Sequence, residues 1–135
     1  MILLDTDVLL DVALDRAPHA ETSAALLEFL ERRPRMAFVS WHTVANFFYL
    51  VRPSSGAAEA RDFLSDLTGF VTVAPCDTDD LRYAASLPMP DLEDAMQVAA
   101  ARACGAQYIA TRNVKDFRKS PVPAKTPKEL LEELA

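Results

Sequence analysis

Short apolar runs alternate along this chain with longer stretches of helical period. Met1–Leu4 is an apolar run that ends at Asp5, which predicts a buried strand. Val8–Leu14 suits a short helix. Pro18 is expected to open a longer one reaching about Arg33, with Ala25, Leu26, Phe29 and Leu30 as its apolar stripe. Met36–Val39 predicts a second strand, and Ser40 a cap for a helix to about Val51 that Pro53 stops. Ser54 or Ser55 is expected to restart a helix through Leu67. Phe70–Val73 predicts a third strand, Asp77 a cap for a helix to Leu87, and Asp91 a cap for another that ends at Gly105. Tyr108–Thr111 predicts a fourth strand and Val122–Pro123 an edge fragment. Thr126, Pro127 and Glu129 form a capping box with proline in the first turn, opening a terminal helix.

Apolar strands alternating with helices predict an α/β fold, a parallel sheet covered on both faces. In such sheets ligands sit beyond the carboxyl ends of the strands. Asp5 falls just past the first strand, and Thr111, Asn113 and Asp116 just past the fourth. If those strands are neighbours, these groups converge.

The chain has 135 residues, enough for one domain spanning 1–135 and too few for two cores. No stretch is long and apolar enough for a membrane span. The start, Met-Ile-Leu-Leu-Asp, has neither a basic region nor a cleavage site, so a cytoplasmic protein is expected. Cys76 and Cys104 lack metal-ligand spacing and read as small core residues. The net charge of −6 speaks against a general electrostatic grip on nucleic acid. It does not exclude a nuclease, because clustered carboxylates that bind a cation make a protein acidic. Arg112, Lys115, Arg118 and Lys119 provide a local basic group within eight residues.

Three constellations could carry chemistry. In Asp5-Thr6-Asp7, Thr6 or Asp7 is expected to cap the next helix. Asp5 sits too early for that, and a carboxylate at a buried strand end needs a cation or donors. Asp11, one turn beyond Asp7, is either a solvated helix position or a support for the site. In Asp91-Leu92-Glu93-Asp94, acids in a first turn complement the helix dipole. The helix is nonetheless apolar nearly all round, so Asp94 needs a partner. In Thr111-Arg112-Asn113 and Lys115-Asp116-Phe117, an ordinary polar loop competes with a hydroxyl and a carboxylate beside phosphate-binding cations. Asn46, within an apolar helix, must satisfy its amide through a structural bond or a place in the site. His19 and His42 have no metal-ligand pairing and read as helix-start or surface residues.

Taken together, Leu3-Leu4-Asp5-Thr6-Asp7-Val8-Leu9-Leu10-Asp11, Asp91-Leu92-Glu93-Asp94-Ala95-Met96-Gln97 and Tyr108-Ile109-Ala110-Thr111-Arg112-Asn113-Val114-Lys115-Asp116-Phe117 resemble, in order and spacing, the opening motif, central acidic helix and last strand of PIN domains. The resemblance covers essentially the whole chain. It implies a three-layer α/β/α sandwich and a Mg²⁺- or Mn²⁺-dependent endoribonuclease. Many such stand-alone domains are VapC-like toxins, often homodimers held inactive by an antitoxin protein. By motif, Asp5, Asp94 and Asp116 are the expected metal-binding and catalytic acids, with Asn46 and Thr111 also in the site. Arg112, Asn113 and Lys115 are expected to contact the RNA substrate, with Asp7, Asp91 and Glu93 behind the acids. Two positions depart from the commoner pattern: Asn46 stands where many members carry Glu, and Asp7 where Asn is common. Loss of the acid at position 46 bears on a second metal and on strength of activity.

Asp5-x-Asp7 also resembles the nucleophile motif of haloacid dehalogenase phosphatases. Against that reading, Val8 replaces a frequent Gly, and no lysine lies between Asp7 and Lys115. A third reading keeps the PIN fold as a catalytically weak interaction module.

Overall fold

The computed structural model describes all 135 residues. Five parallel strands form one sheet in the order β3-β2-β1-β4-β5. They are β1 (Ile2–Leu4), β2 (Ala37–Val39), β3 (Val71–Val73), β4 (Tyr108–Ala110) and β5 (Ala124–Lys125). The chain winds outward from β1 through β2 to β3, then crosses to β4 on the other side. The order therefore reverses between β1 and β4, which pair Leu4 with Ala110 and so meet the condition for the site residues to converge.

Strand alternation divides the core. Ile2 and Leu4 face one layer of helices, and Leu3 faces the other. The first layer holds α1 (Thr6–Ala13), α2 (Ala20–Glu31), α3 (Trp41–Ser55), α4 (Ala57–Leu67) and α7 (Pro127–Leu134). The second holds α5 (Thr78–Ser86) and α6 (Leu92–Ala103), whose Val98, Ala100 and Ala101 pack on Leu3 and Ile109. Small side chains on α6 let it lie close to the sheet. The result is the predicted α/β/α sandwich.

Several local expectations need correction. Asp5 is itself the cap of α1: its Oδ1 accepts from Thr6 N at 2.8 Å. The helix starts two residues earlier than its apolar period suggests, so a strand-end carboxylate doubles as a cap. The second helix begins at Ala20, after a turn in which Ala20 N donates to Arg16 O, and not at Pro18. Pro53 does not end α3. The helix runs to Ser55, because a proline in the last exposed turn costs one hydrogen bond while Gly56, at φ 86°, makes the break and opens α4. The final strand is Ala124–Lys125, one step later than Val122–Pro123. Cys76 is exposed in the loop between β3 and α5, and Cys104 is half-buried, so neither is a core residue. Leu92, at the start of α6, is 52% exposed, so the helix is not apolar-packed all round.

The terminal capping box forms as expected. Thr126 Oγ1 accepts from Glu129 N at 3.2 Å, and the Glu129 carboxylate accepts from Thr126 N at 3.0 Å. Leu130 then docks α7 on α2, fully buried. Thr126→Ala should lower unfolding stability by ~1 kcal/mol in urea denaturation, the usual loss for a helix cap. An unchanged midpoint would mean that α7 is held by Leu130 packing alone.

Candidate active site

Beyond the carboxyl ends of β1 and β4 the surface opens into a cleft of about 440 Å³. Strand ends and helix starts supply its wall. Asp5 comes from the end of β1, Asp7 from the first turn of α1, Asn46 from α3, and Asp91, Glu93 and Asp94 from the start of α6. Asn113 arrives from the loop after β4. The lining carries five carboxylates and no Lys or Arg.

Asp5 is the most constrained of these acids. Its Oδ1 accepts from Gln97 Nε2 at 2.9 Å as well as from Thr6 N, and its Oδ2 accepts from Thr111 Oγ1 at 2.8 Å. Thr111 is fully buried. Gln97 also donates to Thr43 Oγ1 at 2.8 Å, and Thr43 is in turn held by Ser40. A chain of buried polar groups thus ties the carboxylate to α3 and α6 and fixes one orientation.

Asp7 faces a different set of donors. Its Oδ2 accepts from Arg112 N at 2.9 Å, Asn113 Nδ2 at 3.2 Å and Thr111 Oγ1 at 3.3 Å. Its Oδ1 is buried without any partner. Burial, with the Asp5 charge second, raises the Asp7 pKa from 3.8 to about 6. Asp94 shows the same pressure: burial first, then Asp91, Asp5, Asp116 and Glu93, raise its pKa to about 6. Asp91 caps α6 by accepting from Asp94 N at 3.0 Å.

These raised values have a consequence for stability. A carboxyl that binds its proton more tightly when folded stabilises the fold while protonated. That contribution fades as pH rises from about 4 through about 6. The metal-free protein should therefore melt at lower temperature at pH 7 than at pH 5. Asp7→Asn should melt higher than wild type at pH 7, because the neutral amide relieves the repulsion from Asp5 and costs less to bury than a carboxylate. Equal melting of the two proteins across this range would show that Asp7 carries no such penalty.

The remaining expected residues separate into groups. Asn46 does not make a purely structural bond; its Nδ2 donates to Glu93 across the cleft. The wall that lacks an acid on α3 thus gains one held in place from α6. Asp116 lies in a 3-10 helix (Val114–Phe117) after β4, exposed and close enough for its charge to raise the Asp94 pKa. Lys115 is exposed on the same turn. Arg112 is not in the cleft. Its Nε donates to Asp11 Oδ2 at 2.6 Å, and its side chain borders a separate polar pocket with His19, Thr22 and Lys128. The partner Arg112 has in this structure is therefore Asp11, behind the cleft. Asp11 is not solvated: it is fully buried, bridging Arg112 and Arg16, and Ser23 Oγ lies 3.5 Å away.

Sequence reasoning gave no role to Thr43 or Gln97. Both were visible as polar residues on apolar faces, the same signal that singled out Asn46. His42 is half-buried against an apolar groove, and burial lowers its pKa.

Fold and cleft together define a class: a parallel α/β/α protein whose chain reversal point is lined with acids. The chain belongs to the PIN domain family, whose model matches residues 1–115. That membership replaces the phosphatase reading of Asp5-x-Asp7. No curated protein matches the chain. Among solved structures it is similar to VapBC2 from Rickettsia felis bound to a DNA fragment from its promoter. The identity is 18% and the TM-score 0.71, with 93% of this chain and 98% of that chain covered. It is also similar to VapC20 of Mycobacterium tuberculosis, a toxin that cleaves the sarcin–ricin loop (17%, TM-score 0.69, 86% and 92% covered). FitAcB from Neisseria gonorrhoeae is a third (21%, TM-score 0.67, 96% and 100% covered).

Proposed function

We propose that this protein is a Mg²⁺- or Mn²⁺-dependent endoribonuclease and the toxin of a toxin–antitoxin pair. The observation that carries this reading is the convergence of Asp5 and Asp94, from strand end and helix start, in one acidic cleft.

The residues fit a hard divalent cation in their chemistry. All are oxygen donors, which suit Mg²⁺ and Mn²⁺. The orphaned Asp7 Oδ1 and the raised pKa values of Asp7 and Asp94 mark a place where negative charge lacks its counterpart. No three acidic or histidine side chains stand in the arrangement a metal ion takes from protein alone, so water must complete any shell. Asp5 and Asp94 would hold the ion, with Asp116 reaching it through water. When bound, the ion supplies a nucleophilic hydroxide and offsets charge on the scissile phosphate.

The chain's own groups do the rest. Thr111 and Gln97 hold the Asp5 carboxylate in one orientation. Asn46 holds Glu93 on the facing wall. Asn113 holds Asp7, and Lys115, exposed two residues further along, would meet a phosphate. An antitoxin partner and a homodimer are part of the proposal, supported by likeness in fold to VapBC2 and FitAcB. A cytoplasmic location is proposed too; no helix is long and apolar enough to cross a membrane.

Purified protein should cleave a structured RNA with Mn²⁺ or Mg²⁺ and not with EDTA, and Asp94→Asn should abolish cleavage. Well-folded wild type that neither cleaves RNA nor changes its melting temperature with millimolar Mn²⁺ would leave the weak interaction module as the better reading.

A further inference from the structure

The cleft poses an electrostatic problem. Five carboxylates line it and no cation does, so a polyanion gains nothing there from side-chain charge. Contacts at the rim must hold the nucleic acid. One stretch of rim has the composition for this. Tyr49 lines the cleft from α3, one turn beyond Asn46, and is 65% exposed. Its ring meets Phe48 edge-on, with centroids 5.7 Å apart. Arg52 lies 5.7 Å from the Tyr49 ring and 5.9 Å from Phe48, and Arg61, from α4, lies 5.8 Å from Phe48. Neither arginine joins any ion pair of the molecule. Leu50, 55% exposed, extends the apolar surface along the same edge.

An exposed aromatic ring with unpaired guanidinium groups beside it is the arrangement that takes a nucleobase on its face and a phosphate at its side. A base in a duplex is already stacked and cannot reach such a ring, so the ligand class is single-stranded RNA. We propose that Tyr49, with Arg52 beside it and Arg61 beyond Phe48, is a stacking platform for an unpaired nucleotide flanking the scissile phosphate. The inference rests on the nuclease reading for the identity of the ligand. Its geometry rests on the rim alone. It explains how an acidic protein can hold RNA: stacking tolerates the local charge, and the two arginines add cations at the rim.

The test uses the full chain in an Asp5→Asn background, so that the RNA stays intact. The probe is a short single-stranded RNA carrying 2-aminopurine, whose fluorescence falls on stacking. The parent should bind and quench the probe. Tyr49→Ala should weaken binding roughly 5- to 100-fold and lose the quench, the range for removal of one base–aromatic stack. Tyr49→Phe should restore both. Arg52→Gln should weaken binding and lower the dependence of log affinity on log salt by about one contact. The same sequence as a duplex should bind more weakly. Unchanged binding and quench in Tyr49→Ala would overturn the platform, as would a parent that binds no RNA. A change of oligomeric state in Tyr49→Ala, by light scattering, with RNA affinity intact would assign the rim to a second copy of the chain instead. Absence of cleavage by wild type would count against the nuclease alone, because quenching is read without turnover.

Discussion

Asp5→Asn is expected to reduce metal-dependent RNA cleavage by at least ~100-fold with the fold intact. The substitution is clean for a physical reason. Asn caps a helix as well as Asp does, so the bond from Thr6 N survives and α1 keeps its start. Gln97 still finds the remaining oxygen, and Thr111 Oγ1 turns to accept from the new amide nitrogen. What disappears is the negative charge at the strand end. Thr111→Val is the contrast: it leaves the charge and removes the hydroxyl that orients it, for an expected loss of roughly 10- to 100-fold, typical of groups behind a metal ligand. Both are checked by initial cleavage rates at several Mn²⁺ concentrations. The thermal shift that Mn²⁺ causes in wild type should vanish in Asp5→Asn and need more metal in Thr111→Val. An Asp5→Asn protein with wild-type rate would remove Asp5 from the chemistry and end the nuclease reading as stated.

Asp11→Ala should be the most destabilising single change behind the cleft, costing about 3–5 kcal/mol. Asp11 is fully buried and meets two guanidinium groups, Arg112 at 2.6 Å and Arg16 at 3.0 Å. Removing it strands the Arg112 cation, only a quarter exposed, beside Ser23. The melting temperature should fall on the order of 10 °C for a domain of this size. The effect should reach the cleft, because Arg112 N donates to Asp7 and Arg112 follows Thr111 directly. Asp11→Ala should thus raise the Mn²⁺ needed for half-maximal stabilisation. A loss under 1 kcal/mol would mean that water enters and solvates Arg112, making the pair dispensable.

The strand-end rule was sufficient to bring Asp5, Thr111, Asn113 and Asp116 to one edge, because β1 and β4 proved to be neighbours. The acids on α6 were legible as a set, while their pressure on Asp94 was not: that depends on Asp5 and Asp116, distant in sequence. The ion pair of Arg112 was illegible for a similar reason. A basic residue beside a polar loop reads as a phosphate contact, yet Asp11, on another element, captures it.

The hydrophobic pattern by itself determined the element order, the parallel sheet and the two-sided core, because strand and helix periods act over a few residues. The polar residues that flank the apolar runs also determined the caps at Ser40, Asp77, Asp91 and Thr126, which are local hydrogen bonds. Only the tertiary structure decided the rest. The Thr43–Gln97–Asp5 chain, the Asn46–Glu93 contact across the cleft, the orphaned Asp7 oxygen and the Tyr49 rim all join residues whose separation along the chain carries no periodic signal. Their energies depend on burial and distance, and both are set only when the helices close on the sheet.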